Sequence, residues 1–264
     1  MDRTTSAHRS AAGMMVGGLR RLSRKALPAA VLSWIARLHR RSEPTPFTSR
    51  PVKAIGGLEP VSRTFGFDRG TPVDRYYLDC FLAEHKGDIR GRVLEVGDNR
   101  YTVRFGGAQV ERSDILRVDA AHPSATFVGD LAQAHTLPEA VFDCIVITQT
   151  LQFIFDMRAA VATLHKALKP GGVLLLTIPG ISQIEDGEAA SSWYWSLTTV
   201  AARRLLEEKF PPAKVTVEAH GNVFAAAAFL YGLAAEELDR ADLDVFDPSY
   251  PVVVTCRAAK PKSP

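Results

Sequence analysis

The 264-residue chain has only three cysteines, Cys80, Cys144 and Cys256, far apart and in no paired spacing. That scarcity excludes a disulfide framework and a zinc finger, and it suits a reducing compartment, so a cytoplasmic protein is expected. Long apolar runs are scarce too. The longest in the body, Val223 to Ala235, falls short of the roughly 18 residues that span a bilayer. Near the start, Ala11 to Leu19 is short, broken by glycines and followed by no small-residue cleavage site, so it does not read as a secretion signal.

Negative charge is scarce at one end. Residues 1–53 carry 11 Lys and Arg against Asp2 and Glu43, a net of +9, within an overall formal charge of +3. A basic extension over 1–53 therefore precedes an acidic body over 54–264, and nucleic acid is not the expected partner of that body. Within the extension, Leu27, Val31, Trp34, Ile35 and Leu38 share one helical face flanked by arginines. Residues 20–41 then read in one of two ways: a helix lying on an anionic membrane surface, or an arm packed on the body.

The body is organised around Gly91-Arg92-Val93-Leu94-Glu95-Val96-Gly97-Asp98-Asn99. A short apolar run ending in an acid and a glycine is how a buried parallel strand enters a ligand-binding turn. Nineteen positions beyond Glu95 stands Asp114, at the end of a second strand read over Ala108 to Ser113. That spacing suits a carboxylate holding the hydroxyls of a ribose. Asp119 is the rival, 24 positions on, and needs a longer second strand. Glycine is missing at Asn99 and Tyr101, where a pyrophosphate would require bare backbone, so a dinucleotide fits poorly. A phosphate-free nucleoside with a cationic tail suits Glu95 and Asp98 better.

Together with Gly129-Asp130-Leu131, Phe142-Asp143-Cys144-Ile145-Val146-Ile147-Thr148-Gln149 and Leu168-Lys169-Pro170-Gly171-Gly172, these residues resemble the ordered motifs of class I S-adenosylmethionine (SAM) methyltransferases. The likeness runs over roughly residues 70 to 258. It implies a Rossmann-like, doubly wound α/β fold with seven strands, the last antiparallel, and SAM as cofactor with no metal. It further implies Glu95, Gly97, Asp98, Asn99 and Asp114 around the methionine and ribose, Asp130 and Leu131 at the adenine, and Thr148 and Gln149 near the amino group. Gln152 stands where related enzymes often have histidine.

The remaining signals are local. Thr71-Pro72-Val73-Asp74 opens a helix with proline early and an acid in the first turn. In the resembled family such a helix closes over the cofactor, which makes Arg75 and Tyr76 candidate substrate contacts. Trp193 and Trp195 either meet a flat or sugar-like acceptor or staple the following helix. Among seven histidines, His220 alone lies at a strand end on the expected catalytic edge, as a candidate base. The sequence thus reads as a methyltransferase for a small-molecule or glycan-type acceptor, at oxygen or nitrogen. The alternatives are a SAM-fold scaffold without turnover and a nicotinamide oxidoreductase.

Overall fold

Residues 57–119, 123–185 and 188–262 are described by the structure, a computed structural model. The expectations for the extension, residues 1–53 with the stretch 20–41, lie outside these residues. Seven strands make one sheet: β1 (Gly91–Val96), β2 (Val110–Arg117), β3 (Phe127–Val128), β4 (Phe142–Thr148), β5 (Leu168–Pro179), β6 (Val215–His220) and β7 (Val253–Ala259). Their order is β3-β2-β1-β4-β5-β7-β6, with β7 antiparallel to both β5 and β6. This is the expected doubly wound sheet with its reversed last strand.

β4 shows why the chain folds this way. Cys144, Ile145, Val146 and Ile147 are all 0% exposed, because an apolar run in a central parallel strand is covered on both faces. Ile145 and Ile147 join Leu94, Leu174 and Leu164 on one side, where α2 (Met157–Ala167) and α3 (Thr199–Glu207) pack. Cys144 and Val146 join Val93, Leu78 and Leu82 on the other, under α1 (Val73–Glu84). The alternation of side chains along a strand sorts neighbouring residues into two separate cores. A third cluster ties Val73 and Tyr77 of α1 to Ala225 and Phe229 of α4 (Val223–Tyr231).

Element ends follow their local chemistry. Asp156 and Thr198 cap α2 and α3 by accepting from Ala159 and Ala201 backbone N–H groups. α4 stops at Gly232, inside the apolar run Val223 to Ala235, because Gly232 takes a left-handed φ of 75° against the Ser62 backbone, a place with no room for a side chain. Lys169 to Gly172 bulge from the start of β5, so that Phe142 pairs with Leu168 and Cys144 pairs next with Val173. On the outermost strand, Arg203 of α3 donates to the carbonyls of Val215 at 3.1 Å and Val217 at 3.5 Å. Among the described residues no helix is long and apolar enough to cross a membrane.

The entry to α4 concentrates several bonds on Asn222, which is 7% exposed. Its Oδ1 accepts from Ala225 N–H, while Nδ2 donates to the carbonyls of Asp242 and Val245, both at 2.7 Å. Asn222→Ala is expected to cost about 2 kcal/mol or more in urea unfolding, a lost cap plus two abandoned carbonyls. Asn222→Asp keeps the cap yet turns an oxygen toward those carbonyls, so it should destabilise as well. A near-neutral Asp variant would contradict this account.

Candidate functional site

The carboxyl ends of β1 and β4 open into a crevice of about 510 Å³, walled by the start of α1 and the segment after β1. Gly97 makes the turn. Its φ of +94° is disfavoured for residues bearing a Cβ, and a Cβ built there would meet nothing within 4 Å, so open space lies above the backbone. Its N–H donates to Leu116 O at 3.0 Å, strapping the turn to β2. Thr148, the last residue of β4, lines the same space, as do Glu95, Asp98 and Arg75.

Glu95 is 2% exposed, and its two oxygens accept from Tyr101 N–H at 3.2 Å and Thr102 N–H at 2.7 Å. It caps the short helical turn Thr102–Gly106 that stands in place of a full helix. Burial pushes its pKa up, against the downward pull of the Thr102 and Tyr101 donors. Asp98 accepts from Arg100 N–H and pairs with its guanidinium at 2.7 Å, and Asn99 donates to Ser113 Oγ at 3.1 Å. Arg117 reaches across from β2 to donate to Gly97 O at 2.7 Å.

The bounds of the second strand are a correction, and they change where Asp114 stands. β2 begins and ends later than its expected bounds, running to Arg117, and Asp114 lies inside it opposite Leu94 rather than at its tip. Its carboxylate is 0% exposed and is held by Arg92 at 2.6 Å and Arg112 at 3.2 Å. A buried carboxylate engaged by two guanidiniums inside the strand is a structural ion pair. Asp119 instead stands two positions past the end of β2, exposed at the strand tip. The missed signal was the apolar continuation Ile115-Leu116, which carries the strand past the acid.

The other candidates divide. Asp130 follows β3, and its Oδ1 accepts from Ala132 N–H at 2.8 Å, capping the turn. Leu131 is 3% exposed and packs in the main core. Gln149 adopts φ 47°, strained for a non-glycine, while its N–H donates to Thr177 O at 3.0 Å. Among the described residues Asp74 Oδ1, Thr102 Oγ1, Gln149 Nε2 and Gln152 Oε1 are buried with no hydrogen-bond partner.

Several expected contacts lie elsewhere. Tyr76 donates to Asp244 at 2.6 Å, away from the crevice lining. Trp193 stacks on Phe65 at 6.1 Å and meets Phe153 edge-on at 5.0 Å, while Trp195 Nε1 donates to Ile154 O at 3.2 Å. These are staples, and neither tryptophan lines the crevice. His220 lines a separate groove of about 1000 Å³ beside β6, bonded to Thr255 Oγ1 at 2.9 Å and stacked on Tyr77. Burial lowers its pKa, and His220 is not among the residues lining the β1–β4 crevice. Among the described residues no cluster of side chains could hold a metal ion.

The elevated Glu95 pKa sets a pH dependence. Glu95 contributes stability that is fully present below its ordinary value of 4.5 and is lost as pH rises through its higher folded-state value. Urea unfolding of wild type and Glu95→Gln from about pH 4 to 7 should show the wild type losing ground to the variant as pH rises. A pH-independent difference would remove the shift.

A family model described as a methyltransferase domain matches residues 93–176. The ubiquinone/menaquinone biosynthesis C-methyltransferase UbiE of Francisella tularensis subsp. novicida (strain U112) is 28% identical over 128 residues, 44% of this chain and 45% of the relative. The chain thus aligns with less than half the length of the curated relatives it matches. Among solved structures, a SAM-dependent methyltransferase from Archaeoglobus fulgidus is 11% identical at TM-score 0.49, over 70% of this chain and 94% of that one. Phosphoethanolamine N-methyltransferase 2 of Haemonchus contortus, in complex with SAM, is 15% identical at TM-score 0.47, over 89% and 62%. Residues 93–176 thus match a methyltransferase domain, within a sheet whose strand order is the one expected from the resemblance to the class I SAM-dependent type.

Proposed function

We propose that this chain transfers the methyl group of SAM to a small-molecule or glycan-type acceptor at oxygen or nitrogen, with residues 54–264 as the methyltransferase domain. The observation that carries the proposal is the Gly97 turn, open above its backbone, at the mouth of a crevice between the tips of β1 and β4. The residues fit the cofactor: Asp119 at the tip of β2 for the ribose hydroxyls, the second Asp130 oxygen for the adenine amino group, and bare Gly97 for close approach of the adenosyl part. Bound SAM would supply an electrophilic sulfonium methyl.

The chain's own part is to hold and align. Thr148 and the rigid Gln149 turn fix the crevice floor, and Glu95 fixes its wall, so an acceptor held beside them meets a preorganised site. A relative named for ubiquinone/menaquinone biosynthesis C-methylation supports the choice of a small acceptor. A scaffold without turnover remains the second reading, favoured by the absence of histidine from the residues lining the crevice. The basic stretch 20–41 would add a peripheral hold on anionic lipid, which liposome flotation with and without residues 1–45 measures; equal partitioning would remove it.

Calorimetry with SAM, S-adenosylhomocysteine and NAD separates the readings, and release of S-adenosylhomocysteine with a panel of acceptors tests turnover. Asp119→Ala should weaken S-adenosylhomocysteine binding roughly tenfold, about 1.4 kcal/mol. Asp114→Asn should lower unfolding stability and leave that affinity nearly unchanged. The reverse pattern would return the ribose role to Asp114.

A further inference from the structure

One side of the crevice is built from a stretch with no helix or strand of its own. Phe67, Gly70, Thr71 and Pro72 line the space just ahead of α1, at the end of a run of turns and bends over 57–72. Leu58, Val61 and Phe67 in that run are 96%, 47% and 57% exposed, so apolar burial alone holds it weakly. Its inner bracing is polar: Asp68 Oδ1 accepts from Thr64 Oγ1 at 2.9 Å and from Ser62 Oγ, which makes 62–68 a single piece.

The outer hold comes from the turn after α4, 168 positions further along the chain. Arg69 forks onto Glu237, its Nε donating to Oε2 at 2.9 Å and its Nη2 to Oε1. Thr71 N–H donates to Glu236 Oε2 at 2.9 Å, and Thr71 O accepts from Ala235 N–H at 2.7 Å. Glu237 Oε2 also accepts from Ala234 N–H at 2.9 Å, so the same carboxylate fixes its own turn. Pro72 and Ala234 complete the join as an isolated antiparallel bridge. Gly70 permits the approach, since a Cβ there would lie 2.5 Å from Glu236 Oε2. A fork of this kind fixes direction as well as charge, which a single contact between exposed side chains does not.

We propose that Arg69 and Glu237 are positioning residues of the crevice: their pair, with Glu236 on the Thr71 amide, latches the segment 66–72 and thereby sets the wall against which the ligand binds. This rests on the crevice being a SAM site. Arg69, Glu236 and Glu237 are not among the residues lining the crevice, so their effect passes through the backbone of Gly70, Thr71 and Pro72. Phe67, whose ring centre is 5.7 Å from the Arg75 guanidinium carbon, is carried on the same latched piece. A wall that is in place only part of the time lowers apparent affinity by that fraction.

Calorimetry with S-adenosylhomocysteine and limited trypsin digestion, both on the full chain, test the latch. Glu237→Gln and Arg69→Gln should each weaken S-adenosylhomocysteine about three- to tenfold, and the double variant should lose no more than the larger single loss. Glu237→Gln keeps Arg69 as a trypsin site, and cleavage after it should run several-fold faster than in wild type and slow again with ligand. Urea midpoints of both variants should stay near wild type, because an exposed pair adds little to global stability. Unchanged affinity, additive losses, or cleavage that rises equally at sites throughout 73–262 would overturn the proposal. Wild-type protein that binds no S-adenosylhomocysteine would refute the SAM reading instead; faster cleavage after Arg69 in Glu237→Gln would then still uphold the latch, and unchanged cleavage would overturn it.

Discussion

A carboxylate pressed under two backbone amides holds the crevice in shape. Glu95 ends the apolar part of β1, turns inward, and gathers the N–H groups of Tyr101 and Thr102 that a helix start leaves unpaired. The segment after β1 is thereby drawn over the strand tips although it makes only one helical turn. Gly97 supplies the backbone angle and Leu116 the strap, so the turn, β1 and β2 form one unit. Charge burial opposes this arrangement, and the two amide donors offset it in part.

Much of this was legible in the chain. β4 could be read because four consecutive apolar residues without polar interruption have few alternatives to a strand covered on both faces. The two-sided cores followed from alternation alone. β2 misled because Asp114 looks like a terminus: a lone acid after an apolar stretch usually marks a strand's exit. Here Arg92 and Arg112 neutralise it inside the sheet, a long-range pairing that spacing along one strand does not reveal. The same limit hid the fates of Tyr76, Trp193 and His220, each settled by a partner distant in sequence.

Within the crevice walls, charges come as couples. Arg75 with Asp74, Arg100 with Asp98 and Arg104 with Asp79 give a lining rich in ionisable groups and nearly balanced in sign. Such a surface favours ligands that carry both signs at once over simple anions or cations, since a lone charge would have to break a couple to be received. The missing glycines at Asn99 and Tyr101 fit the same picture. Side chains there anchor the turn to Ser113 and to Phe105, and no pyrophosphate needs the room.

At the far margin of the sheet the arginine on α3 has a different effect. Among the described residues β6 has no strand beyond it, and a row of bare carbonyls invites another chain to zip alongside. By filling two of those carbonyls from above, Arg203 blunts the border with a fixed cation, which a foreign strand would have to displace and desolvate before it could add itself to the sheet.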